Sequence, residues 1–303
     1  MLANSSCIGL VSHEFDKKLG KVVTVVKVAL KLDYDRALSL EAAISDLYFF
    51  TSGEDLYYCY QANMQELLNE VLSLAKGYLD NGSMSDIFAS SASFQFSRLT
   101  LNLLGMFKSF LDHGAAALSR RYGPESKERR SWDIAQNAEY DRSAAYRFFS
   151  NLRNYAQHVG MPPLHFSLKE NSEEDGVQVT LEFRRQELLS SYSRWSKDAK
   201  RDLESGPESL HLLTLIEEWS ICFHRLVKMI QTVRSNEVMA SAEQILGLRS
   251  EFAIPGDGML ILLPEPTLDD CGQLDLRFRP LPEEKAKNIV EHTFLKMLDQ
   301  YQG

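Results

Sequence analysis

Three residues, Arg153, Asn154 and His158, have the types and the spacing that chemistry at a phosphate requires. A guanidinium meets phosphate oxygens through a planar fork of donors. An imidazole, with an unperturbed pKa of about 6.5, accepts and donates protons near neutral pH. Asn154 could orient the imidazole or a phosphate oxygen. Together these groups could stabilise a charged phosphate and move protons around it without a metal ion.

The three residues lie near the end of a predicted helix. Apolar and aromatic residues recur at i, i+3, i+4 and i+7 from Tyr140 to His158, with the helix opening around Asp141, which indicates one buried helix face. Gly160, expected in the left-handed conformation of a C-cap, and the two prolines at 162–163 end the helix. His158 therefore falls in its last turn.

Helix geometry places Asn154 and His158 one turn apart on one face. Arg147, seven residues before Asn154, continues this stripe toward the N-terminus. Arg153 lies about 100° round from Asn154. The spacing therefore predicts that Arg147 contributes to substrate binding beside the other three residues.

An Arg followed by a polar residue, with a His four to six positions after the Arg at a helix end, resembles the RNase motif of HEPN domains. Here the motif reads Arg153-Asn154-Tyr155-Ala156-Gln157-His158. The resemblance covers this helix and, loosely, its neighbours. It implies an all-helical bundle, homodimerisation that brings two copies of the motif together, and metal-independent RNA cleavage with Arg153, Asn154 and His158 as catalytic residues.

The same resemblance implies a biological role as a toxin or phage-defence effector, with an antitoxin or a defence protein as partner. HEPN toxins that pair with a nucleotidyltransferase antitoxin typically carry a Tyr two positions after the motif His. Gly160 stands there in this chain, so regulation by modification of that Tyr is not expected.

The chemistry expected of the motif is attack of the RNA 2′-hydroxyl on the adjacent phosphorus. His158 suits the proton transfers and Arg153 the charge that develops on the phosphate. One histidine cannot easily act as base and acid at once. A homodimer, with two copies of each residue around one phosphate, would supply the second proton-transfer group.

Arginines also cluster just before the motif helix. The charged linker from Gly123 to Arg130, together with Arg120 and Arg121, gathers five cations within eleven residues. We expect Arg120, Arg121, Arg129 and Arg130 to steer phosphate toward the site. The alternative interpretation is a solvated loop without a ligand.

Composition limits the functions that the chain can have. Its 303 residues, 44% hydrophobic and 25% charged, are typical of soluble globular protein in one large or two modest domains. The net charge of −9 argues against coating nucleic acid by bulk electrostatics, so RNA contact is expected to be local. The common nucleotide-binding, zinc-hydrolase and serine-hydrolase motifs are absent from the sequence, and we expect neither metal nor cofactor.

The chain has no segment with the pattern of a signal peptide or a membrane span, so we expect a cytoplasmic protein without membrane contact. Its cysteines are too widely spaced for a zinc knuckle or a CxxC redox pair and are expected to be buried free thiols. They are Cys7, Cys59, Cys222 and Cys271.

The predicted fold is mainly α: a HEPN-like helical bundle at 35–250 with a β-hairpin at 164–184, flanked by an N-terminal strand segment at 1–34 and a C-terminal β/α accessory segment at 251–303. The acidic residues at 173–175 predict a solubilising hairpin turn rather than a metal site. Three further strands are predicted, at 21–28, 259–263 and 274–278. A helix is predicted from Ser39 to a break at Ser52-Gly53, and further helices at 54–78, 85–122, 185–203, 207–234 and 282–301.

Two other classes of function fit the same residues. A non-catalytic helical protein could use the bundle for dimerisation or scaffolding, with Arg153 and His158 at a solvated helix end. A nucleotide-sensing protein could bind an anion through Arg147 and Arg153 without cleaving it. His113, on the predicted helix at 85–122, is interpreted as a structural residue, with a polar group near the site as the alternative.

Overall fold

The chain is mainly helical, as its sequence predicts, and helices account for 67% of the structure. This structure, a computed structural model, describes residues 6–171, 176–265, 267–268, 274–275 and 277–300. In these ranges no helix has an apolar stretch long enough to cross a bilayer.

The described residues form nine helices and nine strands. The helices are α1 (Tyr34–Asn81), α2 (Asp86–Tyr122), α3 (Lys127–Arg142), α4 (Ala144–His158), α5 (Arg185–Ser191), α6 (Lys197–Ser205), α7 (Leu212–Glu251), α8 (Glu283–Val290) and α9 (Thr293–Gln300). The strands are β1 (Ser6–Asp16), β2 (Lys21–Leu32), β3 (Leu164–Asn171), β4 (Gly176–Arg184), β5 (Ser209–His211), β6 (Met259–Pro264), β7 (Thr267–Leu268), β8 (Leu274–Asp275) and β9 (Arg279–Pro280).

The chain divides into two compact units. The first comprises the residues up to Ser52 together with Gln231–Gln300, and the second contains Gly53–Ile230. The predicted segments at 1–34, 35–250 and 251–303 differ from this division, because the first part of α1 and the last part of α7 belong with the terminal strands. Shared apolar side chains cause the difference, since Leu40 and Ile245 belong to the same core as Ile8.

The first unit contains an antiparallel sheet in the order β2-β1-β6-β9. Ile8 lies opposite Leu262 and belongs to the main core of this unit, whereas Cys7, opposite Leu263, belongs to a second buried cluster. Successive side chains of a strand point to opposite faces, so both faces of β1 and β6 are buried here. The nearly continuous apolar run of β6 follows from this burial.

The second unit contains the motif helix α4. Serines cap its neighbours: the Ser85 side chain accepts from the amide of Phe88 at the start of α2, and Ser126 accepts from that of Arg129 at the start of α3. Ser143 sits between α3 and α4. Its amide donates to the carbonyl of Glu139, and its hydroxyl accepts from the amide of Tyr146 at 3.0 Å. One residue therefore ends α3 and begins α4.

The helix α3 is absent from the sequence-based prediction, which placed a linker over Gly123–Arg130 and opened the motif helix around Asp141. This prediction was wrong because the helix has a weak apolar signal: its buried residues are Trp132 and Glu139. The end of the motif helix was predicted correctly at His158. Gly160 has a positive φ of 147°, which differs from the left-handed helical value expected of it.

The helix α1 is continuous through Ser52-Gly53, where the sequence predicted a break. The Ser52 hydroxyl donates to the carbonyl of Phe49 at 2.8 Å, so it bonds within the helix. A glycine inside a helix costs only about 1 kcal/mol, which buried residues on either side, such as Phe50 and Tyr57, offset. The boundary between the two units nevertheless falls at this position.

The predicted hairpin at 164–184 is confirmed as β3 and β4, and β5 adds a third strand with Phe183 opposite Leu210. Residues 173–175 of its predicted turn lie outside the described residues. The added strand delays the start of α7 from the predicted Pro207 to Leu212, and α7 also continues well past the predicted end at Arg234.

Several other predicted elements were joined or extended incorrectly. The helix predicted at 185–203 is two helices, because Trp195 is buried in the segment between them, where its indole N–H donates to the carbonyl of Leu188. The helix predicted at 282–301 is divided near His292, whose φ is 51°, and its last residue lies outside the described part. Of the strand predicted at 274–278, residues 274–275 pair as β8 and residue 276 lies outside the described part. The strands predicted at 21–28 and 259–263 are confirmed.

Candidate functional site

A cleft of about 330 Å³ lies beside Arg153 and Asn154 in the second unit. Four helices form it, and α2, α3 and α4 each contribute residues three or four positions apart, which lie on one helix face. Its lining residues are Leu104, Phe107, Lys108 and Leu111 of α2, Gln136, Asn137 and Tyr140 of α3, Tyr146, Phe149, Ser150, Arg153 and Asn154 of α4, and Trp219 of α7.

Arg153 is half-buried, and its guanidinium forms no hydrogen bond or ion pair with any described residue. The side chain of Asn154, the next residue, is also half-buried and makes no hydrogen bond with the described chain. Arginine stays charged at physiological pH. The cleft therefore presents a cation whose donors remain available to a ligand.

His158 lies outside this cleft. It is exposed in the last turn of α4. On a regular helix it stands about 7.5 Å further along the axis than Arg153 and about 140° around it. The structure thus brings Arg153 and Asn154 together in one cavity and leaves the predicted proton-transfer residue at the exposed helix end.

Arg147 is buried, with 9% of its surface exposed, and bonds to the protein itself. Its Nε donates to Oδ2 of Asp202 at 2.5 Å, and one terminal nitrogen donates to the carbonyls of Tyr140 and Asp141 at 2.6 and 2.9 Å. These contacts tie the last turn of α3 to α6. They favour a structural role over the substrate-binding role predicted from the helical stripe.

The four arginines predicted to steer phosphate do not line the cleft. Arg120 and Arg121 are exposed in the last turn of α2, where cations interact favourably with the helix dipole. Arg129 and Arg130 lie in α3 rather than on a linker, and Arg129 pairs with Asp133 one turn later. The position of these side chains on helices limits the directions in which they can reach.

An ion pair between buried Glu139 and half-buried Arg225 supports the α3 side of the site. Both oxygens of Glu139 accept from Arg225 of α7, at 2.8 and 2.5 Å. Burial raises the pKa of Glu139, but the hydrogen bonds and charge of Arg225 outweigh it and leave this pKa below its ordinary value. The Ser143 hydroxyl adds a second link, donating to Glu218 of α7 at 2.6 Å.

Burial keeps the Tyr146 phenol and the Cys222 thiol protonated at neutral pH. Burial raises the pKa of the Tyr146 phenol, which lines the cleft, so its hydroxyl can act as a donor. Burial also raises the pKa of the Cys222 thiol to about 11, which makes it a poor nucleophile. Cys7 is buried as predicted, whereas Cys59 is exposed, and Cys271 lies outside the described residues.

Several lining residues were missed by the sequence reasoning. Gln136, Asn137 and Ser150 are half-buried or exposed, and none of their side chains makes a hydrogen bond with a described residue. The spacing of Ser150 from Arg153 and Asn154, three and four positions, is a signal that could have identified it. No comparable signal links the residues of α2, α3 and α7, because they are distant in sequence.

The described part of the chain contains no group of three or more His, Cys, Asp or Glu side chains arranged to hold a metal ion.

A second cavity, of about 280 Å³ and mostly apolar, lies between α4, α6 and the start of α7. Asp202, which holds Arg147, lies on its wall.

Comparisons of the chain with known protein families, with curated proteins and with solved structures find no match.

Proposed function

We propose that this protein is a metal-independent endoribonuclease of HEPN type, in which Arg153, Asn154 and His158 act on RNA. The observation that carries the proposal is the Arg153 guanidinium, which lacks a protein partner among the described residues although the chain has a net charge of −9. A half-buried cation beside an open cleft is suited to a phosphate. His158 is exposed at the end of the same helix, where it can reach a ligand.

The proposed reaction is a transesterification. The RNA 2′-oxygen attacks phosphorus while His158 removes its proton, and the bond from phosphorus to the 5′-oxygen breaks as that oxygen is protonated. Arg153 stabilises the negative charge on the pentacoordinate phosphate. The products are a 2′,3′-cyclic phosphate and a 5′-hydroxyl end.

A second copy of the chain would complete the site. None of the described residues that line the cleft is a histidine, and the motif supplies one imidazole per chain, that of His158 on the same helix as Arg153. In a two-fold dimer, His158 of the partner subunit can protonate the leaving oxygen. Activity should then fall faster than linearly as the protein is diluted below its dimerisation constant.

The proposal is tested with a labelled single-stranded RNA incubated with wild-type protein in the presence of EDTA. We expect ends that carry 2′,3′-cyclic phosphate, and a loss of about 100-fold or more in rate for His158→Ala and for Arg153→Ala. His113→Ala is the matched control, because His113 is an exposed histidine of the same unit outside the cleft. Equal cleavage by wild-type protein and His158→Ala would contradict the proposal.

Mixing two inactive variants tests whether the site is shared. A heterodimer of His158→Ala and Arg153→Ala chains retains one Arg153 and one of the two imidazoles, so recovery can be only partial, and cleavage above that of either variant alone supports a composite site. Full wild-type activity from a chain that is monomeric at the assay concentration would contradict the dimer. Expression in cells adds the biological arm: as a toxin or defence effector, wild-type protein should arrest growth and His158→Ala should not.

A nucleotide sensor that binds without cleaving is the second candidate. The specific observation in its favour is that the cleft contains Arg153 and Asn154 but not His158. The sequence predicted that a sensor would bind its anion through both Arg147 and Arg153. Because Arg147 is paired with Asp202, such a protein would bind the nucleotide through Arg153. Nucleotide binding without any RNA cleavage by the dimer would favour this candidate. A protein that neither binds nucleotides nor cleaves RNA would instead favour the scaffold.

A further inference from the structure

The cleft beside Arg153 has the volume and the mixture of groups of a small-molecule site. Ligand pockets range from about 300 to 1,000 Å³, and this cleft, at about 330 Å³, is at the lower end. A cavity of this size suits one base with its attached sugar phosphate rather than a longer ligand. Its chemistry therefore decides which small ligand it would hold.

The charge of the cleft favours an anion. Arg153 of α4 and Lys108 of α2 line it, and none of the described lining residues is Asp or Glu. Lys108 pairs with Asp112 one turn later on α2, and Asp112 is exposed outside the cleft. Arg153 is therefore the stronger candidate for a bidentate contact with phosphate oxygens.

Three carboxamides provide both donors and acceptors around this cation. The side chains of Gln136, Asn137 and Asn154 line the cleft and make no hydrogen bonds with described residues. A carboxamide can pair with the edge of a nucleobase through one donor and one acceptor at once. Phosphate alone would need donors only, so the acceptor oxygens indicate a ligand that also carries N–H groups.

Aromatic rings form the remaining wall. Phe149 stacks on Trp219 with ring centroids 4.4 Å apart, and Phe107 meets Trp219 edge-on at 4.7 Å. Trp219 is fully buried, and its indole N–H has no hydrogen-bond partner among the described residues. These rings supply the apolar wall of the cleft, and the polar groups that could bind a ligand come from its other lining residues.

We propose that this cleft is a nucleotide-binding pocket, which holds the phosphate with Arg153 and reads the base with the carboxamides of Gln136, Asn137 and Asn154. The binding of a nucleotide in this pocket is inferred from the lining residues and does not depend on RNA cleavage. Its use in cleavage rests on the proposed ribonuclease function: a base that enters the cleft cannot be paired, so single-stranded RNA becomes the substrate class. A free mononucleotide carries the same chemistry.

The proposal is tested by calorimetry on the whole 303-residue chain. The probes are the four nucleoside 5′-monophosphates, the matching nucleosides, inorganic phosphate, a five-nucleotide RNA and the DNA of the same sequence. We expect at least one mononucleotide to bind about tenfold or more tightly than inorganic phosphate, since a paired base edge adds interactions worth at least that factor. A preference for the oligomer identifies RNA as the source, and tightest binding of a mononucleotide identifies a free nucleotide.

Near-isosteric variants separate the two halves of the ligand. Arg153→Met should weaken nucleotide binding by about tenfold or more and leave nucleoside binding unchanged. Gln136→Met should change the preference among bases. Gln157→Met is the matched control, because Gln157 is an exposed carboxamide of α4 outside the cleft. Near-UV circular dichroism checks that each variant folds, and Arg153→Lys serves as a second variant if Arg153→Met does not.

His158→Ala separates this inference from the proposed function, because His158 lies outside the cleft. Nucleotide binding that survives in His158→Ala supports the pocket whether or not wild-type protein cleaves RNA. Cleavage by a protein that binds no mononucleotide would overturn the pocket and leave the ribonuclease intact. Binding that is unchanged by both Arg153→Met and Gln136→Met, or equal binding of inorganic phosphate and all nucleotides, would also overturn the pocket.

Discussion

Replacing Arg147 by Met tests whether this arginine holds the fold or binds substrate. The substitution keeps much of the apolar volume and removes three charge-assisted hydrogen bonds, one to Asp202 and two to carbonyls of α3. It leaves the carboxylate of Asp202, about a quarter exposed, without its buried partner. The structure therefore predicts a loss of stability rather than a local loss of ligand contact.

The size of this loss follows from the burial of the pair. Removing one partner of a buried ion pair costs about 3–5 kcal/mol. The lower end applies here, because the Asp202 side chain is about a quarter exposed to water. A loss of about 3 kcal/mol corresponds to a fall in melting temperature of roughly 6–12 °C for a unit of this size.

Thermal unfolding followed by circular dichroism measures the effect. Arg201→Met is the matched control: Arg201 is an exposed arginine that pairs with Asp198 at 2.9 Å and reaches the same Asp202 only at 3.8 Å, so its loss should cost about 1 kcal/mol or less. A double-mutant cycle with Asp202→Asn should give a coupling energy of about 1–3 kcal/mol. An Arg147→Met protein that melts like wild type but no longer binds or cleaves RNA would refute the structural role.

Three further predictions concern the helices around the cleft. Glu139→Gln should lower the melting temperature more near pH 7 than near pH 3: because Arg225 keeps the pKa of Glu139 below the ordinary value of 4.5, the stability from this carboxylate is present above that value and is lost as the pH falls through the lowered pKa. Ser143→Ala should cost about 1–2 kcal/mol in a denaturant titration, because it removes the acceptor at the start of α4, and Ser143→Gly, which suits an N-cap better than Ala and adds no volume at this buried position, should cost less. Gly114→Ala should cost about 1–3 kcal/mol by the same measurement, since its Cβ would lie 2.9 Å from the buried ring of Trp132, and unchanged stability would contradict this packing.

The two candidate functions require different residues of α4. A ribonuclease needs Arg153 and His158 to act on the same phosphate, although about 140° of helix separates them. A phosphate at the rim of the cleft, with its base inside and its ester bond toward the helix end, would satisfy both. A sensor needs the cleft alone. The nucleotide and cleavage assays on His158→Ala therefore decide between the two functions.

The local and periodic features of the fold followed from the sequence. Short-range sequence patterns predicted three features: the apolar stripe of α2, the end of α4 at His158 and the hairpin of β3 and β4. The separate helix α3 was missed because few of its residues are buried, so it has little apolar periodicity. Strands as short as β5 have too few residues for any pattern, and pairing with β4 creates them.

The candidate site was predicted only in part, for a physical reason that α4 makes clear. Arg147 and Arg153 are the same residue type, six positions apart on one helix, and from the sequence alone both were predicted to bind phosphate. Packing separates them: Arg147 meets Asp202 of α6 and is buried, whereas Arg153 faces a cleft in which no described group neutralises it. Helix periodicity fixes the direction of a side chain, but only the tertiary structure decides what lies in that direction.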